Sequence, residues 1–209
     1  MPLYKIINHN PTTQILIWKI TETFSELFET LNLTPQSLQR LANMKSEQHQ
    51  KGFLSIRKLL QETAHEDSDL FYDAFGKPHL KNEIHISITH SFDFSAIVLS
   101  DKKIGIDIEL RREKIKIIAK KFITSEIDFI QNNDDQINKL TVIWGAKEAI
   151  FKIQNEKGIS FKDHIVVAPF QMQGHTTKAL LNFDNHNKLF AVFFEEIENF
   201  TLVYALENH

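Results

Sequence analysis

The order of elements along the chain predicts an α+β fold in two similar subdomains, residues 1–101 and 102–209, each with an antiparallel sheet packed on helices. Three observations predict it. A strand-like stretch, a long helical stretch and a run of short strands follow one another in the first half. The same order returns in the second half, and the halves are of similar length. No glycine-rich phosphate loop or flexible linker interrupts this pattern. A ligand cleft between the halves is the expected site.

Taken in order, Gln14 to Ile20 alternates as a strand, Phe24 to Glu62 carries helical spacing, and short strands continue to Ser100. Lys103 to Leu110 is again a strand. Lys114 to Gln154 reads as helix, broken near Asn132-Asn133-Asp134-Asp135, where polar turn formers cluster. Strands then fall near His164 to Phe170, Thr176 to Phe183, Lys188 to Glu195 and Phe200 to Leu206.

Composition removes several classes of function. The chain of 209 residues is 42 % hydrophobic, enough for a sizeable core. With 24 basic against 27 acidic side chains, a net of −3, it is not built to hold nucleic acid by its overall charge. There is no cysteine, so disulfides, thiolate metal sites and thiol nucleophiles are excluded. The amino terminus lacks a charged-then-apolar leader and no apolar run approaches a membrane span, so the expectation is a cytoplasmic protein that needs no membrane.

Chemistry concentrates in two segments. In Ile104-Gly105-Ile106-Asp107-Ile108-Glu109-Leu110 the aliphatics share one face of a strand, and Gly105, Asp107 and Glu109 share the other. Two carboxylates at i and i+2 repel unless solvent or a cation separates their charges. Oxygen ligands without His or Cys suit Mg²⁺ or Mn²⁺, and Gly105 leaves room for a close approach on that face. By itself, Asp-x-Glu also fits an ordinary acidic strand face. In the second segment, Thr141 to Lys152, the residues Trp144, Glu148 and Lys152 recur every fourth position and share one helical face. Glu148 before Lys152 also fits a surface ion pair worth about 0.3–0.5 kcal/mol.

Taken together, Ile104-Gly105-Ile106-Asp107-Ile108-Glu109 and Trp144-Gly145-Ala146-Lys147-Glu148-Ala149-Ile150-Phe151-Lys152 resemble the two signature motifs of the 4'-phosphopantetheinyl transferases. Phe75-Gly76-Lys77-Pro78-His79-Leu80, Ile86-Ser87-Ile88-Thr89-His90-Ser91 and Phe122-Ile123-Thr124-Ser125-Glu126 resemble further segments of that family, with Thr89 in place of a common serine. The order and spacing are similar to the two-repeat type that activates peptide synthetases such as surfactin synthetase. Residues 1–50 and those after Asp163 carry little of the resemblance.

The resemblance implies a pseudo-dimeric fold, a monomer with internal pseudo-twofold symmetry, and transfer of the phosphopantetheine arm of coenzyme A to a serine of an apo acyl or peptidyl carrier protein, as in holo-[acyl-carrier-protein] synthases. It implies Mg²⁺ (or Mn²⁺) held by Asp107, Glu109 and Glu148, with Glu148 as base and Lys152 at the cleaved phosphate bond. His90 would contact a phosphate of coenzyme A. Lys77, Pro78 and Ser91 would lie beside its adenine and 3'-phosphate, and Lys51 or Arg57 would reach the 3'-phosphate. The basic run Arg111-Arg112-Glu113-Lys114-Ile115-Lys116, followed by Lys120 and Lys121, fits docking of an acidic carrier helix or a solvated helix face. Competing readings are another Mg²⁺-dependent nucleotide-diphosphate transferase, and a catalytically silent module that binds coenzyme A or a carrier.

Overall fold

The computed structural model describes residues 3–130 and 135–208, and the chain divides into two compact units, Met1–Lys102 and Lys103–His209. Both mix helices with antiparallel sheet.

The first unit opens with an unexpected strand. β1 (Leu3–Asn10) pairs with β2 (Thr13–Lys19) at the edge of a four-stranded sheet of order β1-β2-β6-β5. Half or more of its side chains face water, so it lacks the alternating apolar signal that marks β2. The helical stretch resolves into α1 (Phe24–Glu29), α2 (Pro35–Ala42) and α3 (Glu47–Glu62). Local chemistry sets these starts: Thr23 and Glu26 form a capping box on α1, while Thr34 caps α2 with Pro35 in its first turn. β3 (Leu70–Tyr72) and β4 (Pro78–Leu80) form a short ribbon. β5 (His85–Ser91) and β6 (Phe94–Ser100) complete the sheet. α3 packs across β6 and β2, where Leu54, Ile56, Leu59 and Leu60 meet Leu16, Trp18 and Ile97 in the core.

In the second unit the strand order is β7-β11-β10-β9-β8, all antiparallel, with β7 (Ile104–Leu110) at one edge. The chain continues through α4 (Lys114–Ile118) and α5 (Gln136–Gln154), then β8 (Ile165–Val167), β9 (Thr176–Phe183), β10 (His186–Ile197) and β11 (Phe200–Glu207). The expected long helix from Lys114 is cut at Ile118 and replaced by 3₁₀ turns at Ala119–Lys121 and Ser125–Phe129. The break expected at Asn132 to Asp135 falls largely on residues 131–134, outside the described residues. The earlier cut has a tertiary cause. The Phe122 carbonyl and the Glu126 carboxylate are both committed to Lys147 of α5. α5 is apolar on most sides and lies on β7 and β11, with Val142, Ile143, Ala146 and Ile150 buried among Val203 and Ala205. Asn155 closes it in the left-handed region at φ 51°.

Candidate functional site

The site in the second unit begins with two glycines. A Cβ on Gly105 would stand 1.9 Å from the carbonyl oxygen of Ala149, and one on Gly145 would stand 2.7 Å from Val203 Cγ2. Strand and helix therefore meet backbone to backbone at Gly105, a separation only glycine allows. The room that Gly105 was expected to leave is filled by α5 itself. Glu148 and Lys152 flank Ala149 on α5, so this contact presents them to the acidic face of β7.

The side chains then interlock. Lys152 Nζ donates to Asp107 Oδ1 at 2.9 Å and to the Ile106 carbonyl at 2.8 Å. Trp144 Nε1 donates to Glu109 Oε1 at 3.3 Å, its indole packed edge-on against Phe122 with ring centroids 5.2 Å apart. Asp107 is 6 % exposed and Glu109 half-buried. Burial pushes the Glu148 carboxyl up to about 7; the Asp107 charge adds to this, Lys152 opposes it, and Glu109 adds further. The expected stripe of Trp144, Glu148 and Lys152 thus interacts with the acidic strand, rather than forming an isolated surface pair.

Among the described residues no three His, Asp or Glu side chains are grouped closely enough to cage a metal ion. Neighbouring carboxylates without a cation between them repel one another. Here the Lys152 ammonium supplies the positive charge at Asp107, and Glu148 is held toward its neutral form. The donor chemistry still fits a hard divalent ion, because Mg²⁺ commonly takes only one or two carboxylates and completes its shell with water and phosphate oxygens.

The raised Glu148 makes a prediction that is separate from catalysis. Its folded-state value lies above the ordinary 4.5, so the stability tied to its protonated form is present below 4.5 and lost as pH rises through about 7. Glu148→Gln should therefore melt above wild type at pH 8, with the gap closing toward pH 4.5. A gap that thermal melts show to be independent of pH would contradict the assigned burial and charge crowding.

The remaining expected residues belong to the first unit. The Asp73 carboxylate organises the turn before β4: its Oδ1 accepts from the amides of Phe75 (2.8 Å) and Lys77 (2.9 Å), with Gly76 at φ 83°. These bonds, led by that from Lys77, hold the Asp73 carboxyl below the usual range. Lys77 is half-buried, and Pro78 opens β4 opposite Tyr72. His90 is the next-to-last residue of β5, its ring directly over α3, where a Cβ on Gly52 would lie 2.9 Å from its Cγ and Nδ1. The His49 ring centroid is 6.0 Å away, and Ser91 follows half-buried. Lys51 lines a hollow of about 290 Å³ with Glu47, Gln48, Phe92 and Asp93.

Arg57 departs from its expected role. It is 2 % exposed, donates to Asp67 Oδ1 at 2.9 Å and to the Phe53 carbonyl at 3.3 Å, and lies over the Phe53 ring. Its guanidinium ties α3 to the start of α2, whose Thr34 and Ser37 also bond Asp67. It is therefore not presented to a ligand.

Two pairs escaped the sequence reading. His79 contacts Asp73 Oδ2 at 3.2 Å and stacks on Phe71 at 5.4 Å. Its signal was the Asp73 to Lys77 spacing around a turn glycine. The other is Lys147 with Glu126, 2.7 Å apart and both 0 % exposed. Its signal was a lysine among Ile143, Ala146 and Ile150 on a buried helix.

The sequence model described as the 4'-phosphopantetheinyl transferase superfamily matches residues 103–205, the segment that carries this acidic site. The 4'-phosphopantetheinyl transferase gsp of Aneurinibacillus migulanus is 32 % identical over 107 residues, 48 % of this chain and 45 % of that protein. The 4'-phosphopantetheinyl transferase of Bacillus subtilis is 29 % identical over 133 residues, 61 % of this chain and 58 % of that protein. The matches span about half the length of these relatives. Among the described residues no helix is long and apolar enough to cross a membrane.

Proposed function

The chain belongs to the 4'-phosphopantetheinyl transferase superfamily, and on that premise we propose that it moves the phosphopantetheine arm of coenzyme A onto a serine of an apo acyl or peptidyl carrier protein, releasing 3',5'-ADP. The observation that carries this reading is the placement of Glu148 and Lys152 against Asp107 and Glu109 inside the family's matched segment. A hard divalent cation, Mg²⁺ or Mn²⁺, would be held by Asp107, Glu109 and Glu148. When bound it supplies neutralisation of the coenzyme A diphosphate.

The carrier serine Oγ bonds to the phosphorus that bears the pantetheine arm, as the bond from that phosphorus to the 3',5'-ADP oxygen breaks. Glu148 takes the serine proton, directly or through water. Lys152, whose ammonium now lies on Asp107, offsets the charge that develops on the departing diphosphate oxygen. No covalent enzyme intermediate is required. For coenzyme A, the half-buried Lys51 would supply positive charge toward a phosphate and His90 would contact one, while Lys77, Pro78 and Ser91 would border the nucleotide.

The two-repeat, pseudo-dimeric arrangement is part of the same proposal. In each unit a long helix lies across an antiparallel sheet, α3 on β6 and β2, α5 on β7 and β11. We read the protein as a monomer with that internal symmetry, and its subdomains as 1–101 and 102–209.

Carrier docking is assigned to the surface after β7. A groove of about 950 Å³ there is lined by the apolar Ile123, Ile127 and Leu140 and by the basic Lys116, Lys120 and Lys162. A lining of apolar and basic side chains suits an amphipathic acidic helix. Arg111 does not share this role, since its guanidinium bonds the Phe200 and Glu198 carbonyls and pairs with Glu196 at 3.2 Å. Reversing Lys116 and Lys120 to glutamate should raise the carrier KM several-fold and flatten its salt dependence, with kcat nearly unchanged. Unchanged carrier KM and salt dependence would end the docking assignment. Arg111→Glu should instead lower the melting temperature.

The direct test is incubation with coenzyme A, Mg²⁺ and a panel of apo carrier proteins, followed by intact-mass analysis. A phosphopantetheine increment on one serine, lost with chelator, is expected. No increment on any carrier would overturn transfer and favour a silent binding module.

A further inference from the structure

Lys147 precedes the proposed base in sequence, yet the two side chains leave α5 in different directions. Its ammonium meets three acceptors: the Phe122 carbonyl at 2.5 Å, the Phe161 carbonyl at 2.9 Å and Glu126 Oε1 at 2.7 Å. An ammonium has three N–H donors, so each one has a partner. Glu126 is fixed in turn by the amides of Thr124 at 2.8 Å and Val167 at 3.1 Å. The anchor therefore links α5 to β8 and to the segments on either side of the helix.

An apolar pair of similar volume commonly stabilises a fold as well as a buried ion pair does. Apolar contact is non-directional, whereas three hydrogen bonds to one ammonium fix direction. Direction matters here because a carboxylate on a helix lies roughly 6 Å from the axis, and a rotation of about 10° displaces it by about 1 Å. Such a displacement can cost on the order of a hundredfold in rate. We propose that Lys147, through Glu126 and the two carbonyls, is a positioning residue that fixes the rotation of α5 about its axis and hence the place of Glu148 relative to Asp107 and Glu109. This rests on the proposed function, since it concerns the same acidic site.

The test is the double variant Lys147→Met/Glu126→Leu, which replaces the pair with apolar groups of similar size. Mn²⁺ binding is followed by electron paramagnetic resonance without coenzyme A or carrier, alongside thermal melts and steady-state kinetics. The expected result is a folded protein whose Mn²⁺ Kd rises tenfold or more and whose kcat falls tenfold or more, with KM for coenzyme A little changed. A folded double variant that binds Mn²⁺ and turns over as wild type does would overturn the positioning role while leaving the function intact. Wild type that binds no Mn²⁺ would overturn both the metal site and the positioning role. If the double variant does not fold, Lys147→Arg decides. It keeps the charge but changes reach and fork geometry, so Kd should shift at least threefold, and an unchanged Kd overturns the proposal.

Discussion

Asp107→Ala should lower kcat/KM for carrier modification by about a thousandfold or more, equivalent to roughly 4 kcal/mol of transition-state stabilisation. Three losses coincide at this residue. The strand gives up its most buried carboxylate, 6 % exposed, and with it a ligand for the proposed cation. Lys152 loses its 2.9 Å partner and its fixed orientation. Glu148 loses the charge that, after burial, does most to hold it toward its neutral form, so its carboxyl should titrate at lower pH. Asp107→Asn separates shape from charge: it keeps the outline of the side chain, should melt close to wild type, and should be nearly as inactive as alanine. Rates of mass increment on a carrier, with melts of both variants, check this. Retention of more than a tenth of wild-type kcat/KM by the asparagine variant would remove Asp107 from the reaction.

Gly105→Ala should be the most damaging single methyl in the second unit. The added carbon would sit 1.9 Å from the Ala149 oxygen and 2.7 Å from its carbonyl carbon, and both are backbone atoms of α5 that no rotamer change can move. Relief requires the helix to lift from β7, which opens packing along Ala146, Ala149 and Val203. A destabilisation of about 3 kcal/mol or more follows, or roughly 6–12 °C in melting temperature for a chain of this size. Activity should fall even where the variant is folded, because the lifted helix takes Glu148 and Lys152 with it. Gly145→Ala meets a Val203 methyl at 2.7 Å and should cost less. Gly174→Ala meets nothing within 4 Å and serves as a neutral reference. Equal melting temperatures for all three variants would show that the backbone contact does not set the helix position.

Much of this was legible because chemistry and periodicity coincided. β7 alternates without interruption, so its acidic face could be read directly, and the fourfold spacing of Trp144, Glu148 and Lys152 defined the helix face that lies against it. Other features depended on partners distant in sequence. β1 is an exposed edge strand, visible only through its pairing with β2. The helix expected after Lys114 stops early because Lys147, well downstream, captures the Phe122 carbonyl. Arg57 looked available for phosphate because its helical spacing gave no hint of Asp67 beyond the end of α3. Gly105 was understood as room for a ligand, whereas its neighbour is a helix backbone, and a glycine alone cannot distinguish these. Lys152 was expected at a phosphate, and its direct bond to Asp107 is a tertiary fact that spacing does not specify.

The anchoring of Arg111 in the turn between β10 and β11 has a consequence for how such a protein can diversify. Residue 111 is bound to the scaffold, while Arg112, Lys114, Lys116 and Lys120, next in line, point to solvent. Substitutions at the exposed Lys114, Lys116 and Lys120 can change the charge of this outward-facing tract while Arg111 keeps its bonds to the hairpin. The line between a side chain tied to the hairpin and a tract exposed to water therefore falls between two adjacent arginines.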